Sequence, residues 1–416
     1  MKKYLLLLLP ALVCGDNLKT ILDYAGKNNN LVQASKLIED SRVQDIQTKE
    51  NALYPSIDIG GNMQHLKELP TGQPGDIYSV YAKISYDIYD GGKKSSLVNS
   101  AKNDYKSSLY NYNATKDNLN LDVVQDFYLI KNLKGSLLAK QEAGKSLGEQ
   151  LNRIKKYFEA RLATKNDIDR IQSSYDTNNY ETESIKFQII QATKNLELKV
   201  GKTIDSIENS TFIEILENKF EENSNIKSMK AKRDALLSNI EVINSASLPQ
   251  LKIENTYSKF NYGQTNENHP AGLDNQNNLT LTASMKLYDF GVNKSEKQSV
   301  MIQAQALSKE IDYKIEEQKI QNNISIARIM ASKAKINSSQ SALKAAKSAF
   351  EVMTEKYNAG LVDYVSYLDS LTSKTNAIVA HEISLNELQT AYAIYYYYNG
   401  KNLQDMINTG DLKWKK

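Results

Sequence analysis

Residues 77–89 read Ile-Tyr-Ser-Val-Tyr-Ala-Lys-Ile-Ser-Tyr-Asp-Ile-Tyr and run into Asp90-Gly91-Gly92. The even positions Tyr78, Val80, Ala82, Ile84, Tyr86 and Ile88 are apolar or aromatic, while the odd positions Ser79, Tyr81, Lys83, Ser85 and Asp87 are mostly polar. Side chains on a strand alternate between its faces, so a period of two predicts a two-faced strand over about 77–89. A partner strand over about 55–66 starts after Pro55, with Ile57, Ile59 and Met63 opposing Asp58, Asn62 and Gln64. The Gly- and Pro-rich stretch Glu68 to Asp76 joins the two.

The pattern returns roughly 195–200 residues later. Leu251, Ile253 and Tyr257 oppose Lys252, Glu254, Thr256 and Ser258 in a strand over about 249–262. Leu279, Leu281, Ala283, Met285 and Leu287 oppose Thr280, Thr282, Ser284 and Lys286 in one over about 278–288. The flanks repeat as well: Leu53-Tyr54-Pro55 matches Leu248-Pro249, Tyr89-Asp90-Gly91-Gly92 matches Tyr288-Asp289-Phe290-Gly291, and Phe158-Glu159-Ala160-Arg161-Leu162 matches Tyr357-Asn358-Ala359-Gly360-Leu361. The chain is an internal duplication.

Between the strand pairs the period changes. Beyond Pro10, the prolines are Pro55, Pro70, Pro74, Pro249 and Pro270, in two clusters that leave Gly75 to Leu248 and Ala271 to Lys416 without one. Proline costs a helix interior about 3 kcal/mol, so these spans permit very long helices. Counting alternately four and three from Tyr105 meets Leu109, Tyr112, Leu119, Val123, Ile130, Leu133, Leu147, Leu151 and Ile154, interrupted at Lys116, Asp126, Lys140 and Gly144. That 3.5-residue seam predicts a coiled helix over 92–159, about 100 Å long at ~1.5 Å per residue. A return helix follows over 163–200. The second half gives 291–358 and 362–399, and 202–223 joins the halves.

Composition limits what such a chain can be. Its 416 residues allow two or three domains or one large one, yet only 41% are hydrophobic, mean hydropathy is −0.53, and Tyr supplies 26 of the 35 Phe, Trp and Tyr residues. The longest apolar run, Leu5 to Val13, is about half of the ~20 residues a spanning helix needs. Following Lys2 and Lys3, it reads as a signal peptide over 1–15 with cleavage near Asp16. A lipidated Cys14 is the alternative processing, although that chemistry favours a small residue where Val13 stands. Cleavage leaves 50 basic residues against 49 acidic, with no global attraction to nucleic acid. It also leaves no cysteine for a disulfide or a thiolate. His65, His269 and His381 are scattered, and there is no His-Glu-x-x-His, phosphate-binding glycine loop or Cys/His metal spacing, so neither an enzyme nor a metal or cofactor protein is indicated. His381 reads as an exposed helix residue.

Strands with one apolar and one polar face, in an exported chain without a spanning helix, suit an outer-membrane barrel, because every strand edge in lipid must be paired. Four strands are fewer than the eight of the smallest such barrels, so this chain would pool strands with other copies. The rival reading is a soluble sheet capping a periplasmic coiled coil.

The duplicated halves, the Leu/Pro start of each first strand, the Tyr-Asp-(Phe)-Gly end of each second strand and the Tyr-Asn-Ala-Gly-Leu turn together resemble the TolC-like outer-membrane efflux proteins, over essentially the whole mature chain. The resemblance implies a mostly α fold with a membrane β-barrel part: a homotrimer whose strands make one twelve-stranded barrel, continued by a helical tunnel across the periplasm. The linker 202–223 and the tail 400–416 would form an equatorial belt. A periplasmic adaptor would join the channel to an inner-membrane pump or ABC exporter. At the periplasmic gate, Asp369 takes the place of the inner acidic ring, Tyr357 that of a gating tyrosine, and Asp167 that of its acidic partner. Ser366 replaces the other acidic ring and Val362 a gating arginine, so the closed-state latch must be weaker or built differently. The turns Ala160-Arg161-Leu162 and Ala359-Gly360-Leu361 resemble adaptor-docking tips. Gly360 suits a tight turn, whereas Arg161 predicts a first turn of another shape. Lys83, Lys252 and Lys286 would face the barrel lumen and bias it toward anions. The functional reading is an export conduit for small molecules or polypeptides; the alternative is a non-conducting structural coiled coil of the envelope.

Overall fold

The computed structural model describes residues 17–214 and 220–408. The expected signal peptide over 1–15, with Cys14, and the last part of the tail, 409–416, lie outside the described residues. The chain forms two compact units, one from 17–35, Tyr112–Ser224 and 315–408, the other from Lys36–Asn111 and Asn225–Lys314. In order, the elements are α1 (Leu18–Asn28), α2 (Asn30–Asn51), β1 (Ser56–His65), β2 (Asp76–Tyr89), α3 (Lys93–Glu159), α4 (Lys165–Val200), β3 (Thr211–Phe212), α5 (Ser224–Ser245), β4 (Gln250–Gly263), β5 (Asn275–Ser284), α6 (Val292–Asn358), α7 (Tyr364–Tyr398), a 3-10 turn (Leu403–Met406) and β6 (Ile407–Asn408).

The strand-bearing unit holds a four-stranded antiparallel sheet of order β1-β2-β4-β5, in which the hairpins of the two repeats meet through β2 and β4. The register places Ile59 opposite Ala82, Ala82 opposite Tyr257, and Ile253 between Tyr86 and Leu281, so the apolar positions of all four strands share one face. That face is open: Ile59 is 85% exposed, Val80 61%, Leu279 66% and Leu281 63%. The polar positions Ser79, Tyr81, Lys83, Ser85 and Asp87 are instead partly covered. The outer edges of β1 and β5 have no strand partner among the described residues. Beside the sheet, α3 and α5 are joined through small side chains, Ser107 Oγ donating to the Ser228 carbonyl at 3.0 Å and Ser228 Oγ to the Ser107 carbonyl at 2.8 Å.

The helical unit contains two antiparallel hairpins, α3/α4 and α6/α7, with α1 and the short strands. Its main core gathers Leu18, Ile21 and Leu22 of α1, Val123, Phe127, Tyr128 and Ile130 of α3, Leu196 and Val200 of α4, and Tyr392, Tyr395 and Tyr396 of α7. The linker and the tail are tied together there: β3 pairs with β6, Tyr128 Oη donates to the Ser210 carbonyl at 2.9 Å, and Gln389 Oε1 accepts from Phe212 N at 2.8 Å. A second cluster joins Leu147, Leu151 and Ile154 of α3 to Ile171 of α4 and to Tyr364, Tyr367 and Leu371 of α7.

Three features of the interruptions and boundaries have local causes. Asp126 pairs with Lys199 at 2.7 Å and Lys140 with Glu181 at 2.6 Å, while a Cβ on Gly144 would lie 2.6 Å from Asn178 Nδ2. These breaks in the seam of α3 are therefore contacts to α4. The stretch before β1 is divided into α1 and α2, because Asn29 spends its side chain on the Lys199 carbonyl and on the N–H groups of Leu31 and Val32. The last strand of the sheet is shifted toward its connection, ending at Ser284 rather than near 288. Its pairing stops at Gln250↔Ser284, and the preceding residue of β4, Pro249, has no N–H to offer.

Candidate functional site

Both helical hairpins close on the same turn. Leu162 N donates to the Tyr157 carbonyl at 2.7 Å and Arg161 N to Phe158 at 2.9 Å; Leu361 N donates to Lys356 at 2.9 Å and Gly360 N to Tyr357 at 3.1 Å. This is the Schellman pattern, which requires a left-handed residue after the helix. Gly360 has φ 72°, and Arg161 has φ 60°. The expectation of a differently shaped first turn is thus overturned: the hydrogen bonds dictate the conformation and Arg161 adopts it. Leu162 and Leu361 project from the turns, 76% and 74% exposed.

The next helices start with exchanged chemistry. At α4, Thr164 caps and Asp167 reciprocates, its carboxylate accepting from Thr164 N at 2.9 Å and from Thr164 Oγ1 at 2.7 Å. At α7, Asp363 caps by accepting from Ser366 N at 2.9 Å. Hydroxyl and carboxylate have swapped places between the repeats. Donation by the Thr164 hydroxyl and N–H holds the Asp167 carboxyl below the usual carboxylate range, and donation by Ser366 does the same for Asp363. Two of the expected gate residues, Asp167 and Ser366, are therefore engaged in starting helices.

Tyr357 lies in an aromatic cluster, stacked on Tyr367 with centroids 5.0 Å apart and 6.1 Å from Tyr364. Burial pushes its phenol up, Arg153 opposes the shift and Asp167 adds to it. No hydrogen bond joins Tyr357 to Asp167 among the described residues. The residue that does reach Tyr357 is Arg153 of α3, its guanidinium 5.6 Å from the Tyr357 centroid and 5.3 Å from that of Tyr157. Arg153 Nη1 also donates to Asn358 Oδ1, and Nε donates to Tyr157 Oη at 3.1 Å. Sequence reading missed Arg153 because it stands one residue off the 3.5 seam and its partner is 205 positions away.

Asp369 is exposed and lines a groove of about 350 Å³ with Lys140, Asn178 and Glu181 from one hairpin and Thr372 and Asn376 from its own helix. It has no hydrogen bond or ion pair among the described residues. In the other unit, Lys83 lies 4.0 Å from both Asp58 and Glu254, and Lys252 lies 3.0 Å from Glu254, so their charge is compensated in place. Lys286 falls beyond the end of β5 and outside the sheet. The histidines have local partners: His65 contacts Asp76 at 2.7 Å, and His269 contacts the Pro70 and Gln73 carbonyls at 3.1 and 3.0 Å. His381 is half-buried rather than exposed, 3.1 Å from Ser339 Oγ, because α6 packs over it.

Comparison with known proteins agrees with this architecture. The family model described as outer membrane efflux protein matches residues 21–202 and 215–393, one segment per repeat. The chain is 23% identical over 410 residues to outer membrane protein TolC of Vibrio cholerae serotype O1, covering 92% of each. Its fold is similar to that of the outer membrane protein VceC from Vibrio cholerae, with a TM-score of 0.80, 13% identity and coverage of 93% of this chain and 96% of that one. It is also similar to the Campylobacter jejuni CmeC outer membrane channel, with a TM-score of 0.81, 15% identity and coverage of 95% and 87%. The chain belongs to the outer membrane efflux protein family, whose members are transport channels and not enzymes.

Proposed function

We propose that three copies of this chain form an outer-membrane export conduit. Their pooled strands make a twelve-stranded barrel in the outer membrane, the helical hairpins continue it as a tunnel into the periplasm, and an adaptor connects it to an inner-membrane pump. The observation that carries this reading is the sheet: its apolar face is exposed, the polar positions of its central strand β2 are partly covered, and both outer edges are unpaired among the described residues. Lipid accepts the first, a water-filled lumen the second, and neighbouring copies the third. Lys83 and Lys252, facing the lumen beside Asp58 and Glu254, give it little preference for anions at their level.

At the hairpin ends, the exposed Asp369, unpaired among the described residues, is a carboxylate free to form a ring of three around the axis. Like charges held close favour cations in the constriction. Tyr357 packs on Tyr367 and Tyr364 of α7, the helix that carries Asp369, while Asp167 and Ser366 set the starts of α4 and α7. The turns 160–162 and 359–361 meet the adaptor through Leu162 and Leu361. Purified from outer membranes, the protein is expected to run as a heat-resistant trimer and to carry current in planar bilayers; release by salt or alkali without current would reject the conduit. Block by divalent cations is expected to weaken in Asp369→Ala, and unchanged block would remove Asp369 from the gate. Cysteines at Leu162 and Leu361 are expected to crosslink to a co-purified adaptor during export.

A further inference from the structure

We infer that Arg153 is a clasp holding the two hairpin ends of one protomer together, and that this clasp must open before the ends can part. The inference rests on the conduit reading only for its effect on current; the clasp itself is a statement about the protomer. Arg153 projects from the last turns of α3, six residues before the end of that helix at Glu159. Its partners on the second repeat, Tyr357 and Asn358, are the last two residues of α6. One guanidinium thus bridges the two helices that lead into the two turns.

The bridge has several parts. The guanidinium lies over the rings of Tyr157 and Tyr357, Nη1 donates to the Asn358 side chain, and Nη2 reaches the Asn358 carbonyl at 3.5 Å. That carbonyl belongs to the last turn of α6, where the helix lacks internal donors and its dipole favours a cation. Tyr357 transmits the contact onward, since it stacks on Tyr367 of α7. One arginine therefore connects α3, α6 and, through Tyr357, α7. An ion pair between the hairpins, Lys374 with Glu142 at 3.4 Å, lies farther from the turns on both α3 and α7. Separating the turns must break the contacts of Arg153 as well as the apolar cluster that Tyr364, Tyr367 and Leu371 form with α3 and α4.

A lysine would supply the charge without the planar fork that stacks and donates at once. Arg153→Ala and Arg153→Lys therefore form a graded pair, read by single-channel current in planar bilayers and by the rate of trypsin cleavage after Arg161 and Lys356 in the assembled protein. Arg153→Ala is expected to raise both the open population and the cleavage rate by roughly tenfold, as loss of one charge-assisted contact would, with Arg153→Lys between it and the parent. Parent-like current and parent-like cleavage in Arg153→Ala would overturn the clasp. Faster cleavage in a protein whose parent carries no current would uphold the clasp and reject the conduit. Should Arg153→Ala not assemble, the pair Arg153→Cys with Asn358→Cys decides the matter within one sample. Oxidised, it is expected to resist cleavage as the parent does, and reductant is expected to release it; equal rates before and after reductant would reject the clasp.

Discussion

At the residue scale, the two hairpin turns show how much a hydrogen-bond pattern can demand of a side chain. Arg161 occupies a left-handed conformation that costs a residue with a Cβ about 1–2 kcal/mol, whereas Gly360 adopts it freely. Arg161→Gly is therefore expected to stabilise the protein by about 0.5–1 kcal/mol after glycine's own entropy loss, measured as a higher midpoint of unfolding. The exchanged caps make a second prediction. Asp167 accepts from Thr164, and its carboxyl titrates below its ordinary value of 3.8. Because the folded value is depressed, its stabilising effect is present above the ordinary value and disappears as pH falls through the folded one. Amide exchange in the first turn of α4 is expected to accelerate in that acid window and not near neutrality, and Thr164→Ala is expected to cost about 1 kcal/mol of capping at any pH above it. The motif positions of both turns were legible in the sequence from their repetition. The conformation of Arg161 was not, since it follows from bonds that form only once α3 has ended there.

At the element scale, the strands were legible because a period of two survives in short stretches, and the limits of β2 follow it closely. The end of β5 was not, because alternation continues through Met285 and Leu287 after the partner strand has stopped at Gln250. Pairing sets the end of a strand, and pairing is not written in one strand's own pattern. The same alternation supports a test of the sheet's environment. Val80→Lys places a charge on the exposed apolar face, which in lipid costs about 2–4 kcal/mol near the bilayer centre. It is expected to abolish the heat-resistant oligomer in outer membranes, whereas Lys83→Gln, on the partly covered polar face, is expected to leave it intact. Equal yields of both variants would argue for water on both faces. The helices were readable from their seam, and the seam's polar interruptions became intelligible only with the partner helix in view, as with Asp126 and Lys199.

At the scale of the whole molecule, duplication was the most legible property, since matched flanks fix the order of helices and strands in both halves. The joining of linker to tail was not readable, because β3 and β6 are two residues each and lie far apart in the chain. No periodicity can accumulate over so short a strand. The assembly proposed for this chain makes its own demand: the free edge of β1 in one copy must pair with the free edge of β5 in the next. Cysteines scanned along Ser56–His65 in combination with cysteines along Asn275–Ser284 are expected to yield an oxidised trimer in membranes, with efficiency alternating by strand register. Monomers alone at every combination would exclude this closure.

Those two bare edges also bear on how the protein is made. A single copy in water presents two strands with unsatisfied backbone groups and beside them a face of Ile59, Val80 and Leu281. Both features promote sticking to any extended chain nearby. Assembly is therefore a race whose outcome depends on concentration and on escort through the periplasm, and the unfolding free energy of an isolated protomer is a quantity the cell never uses.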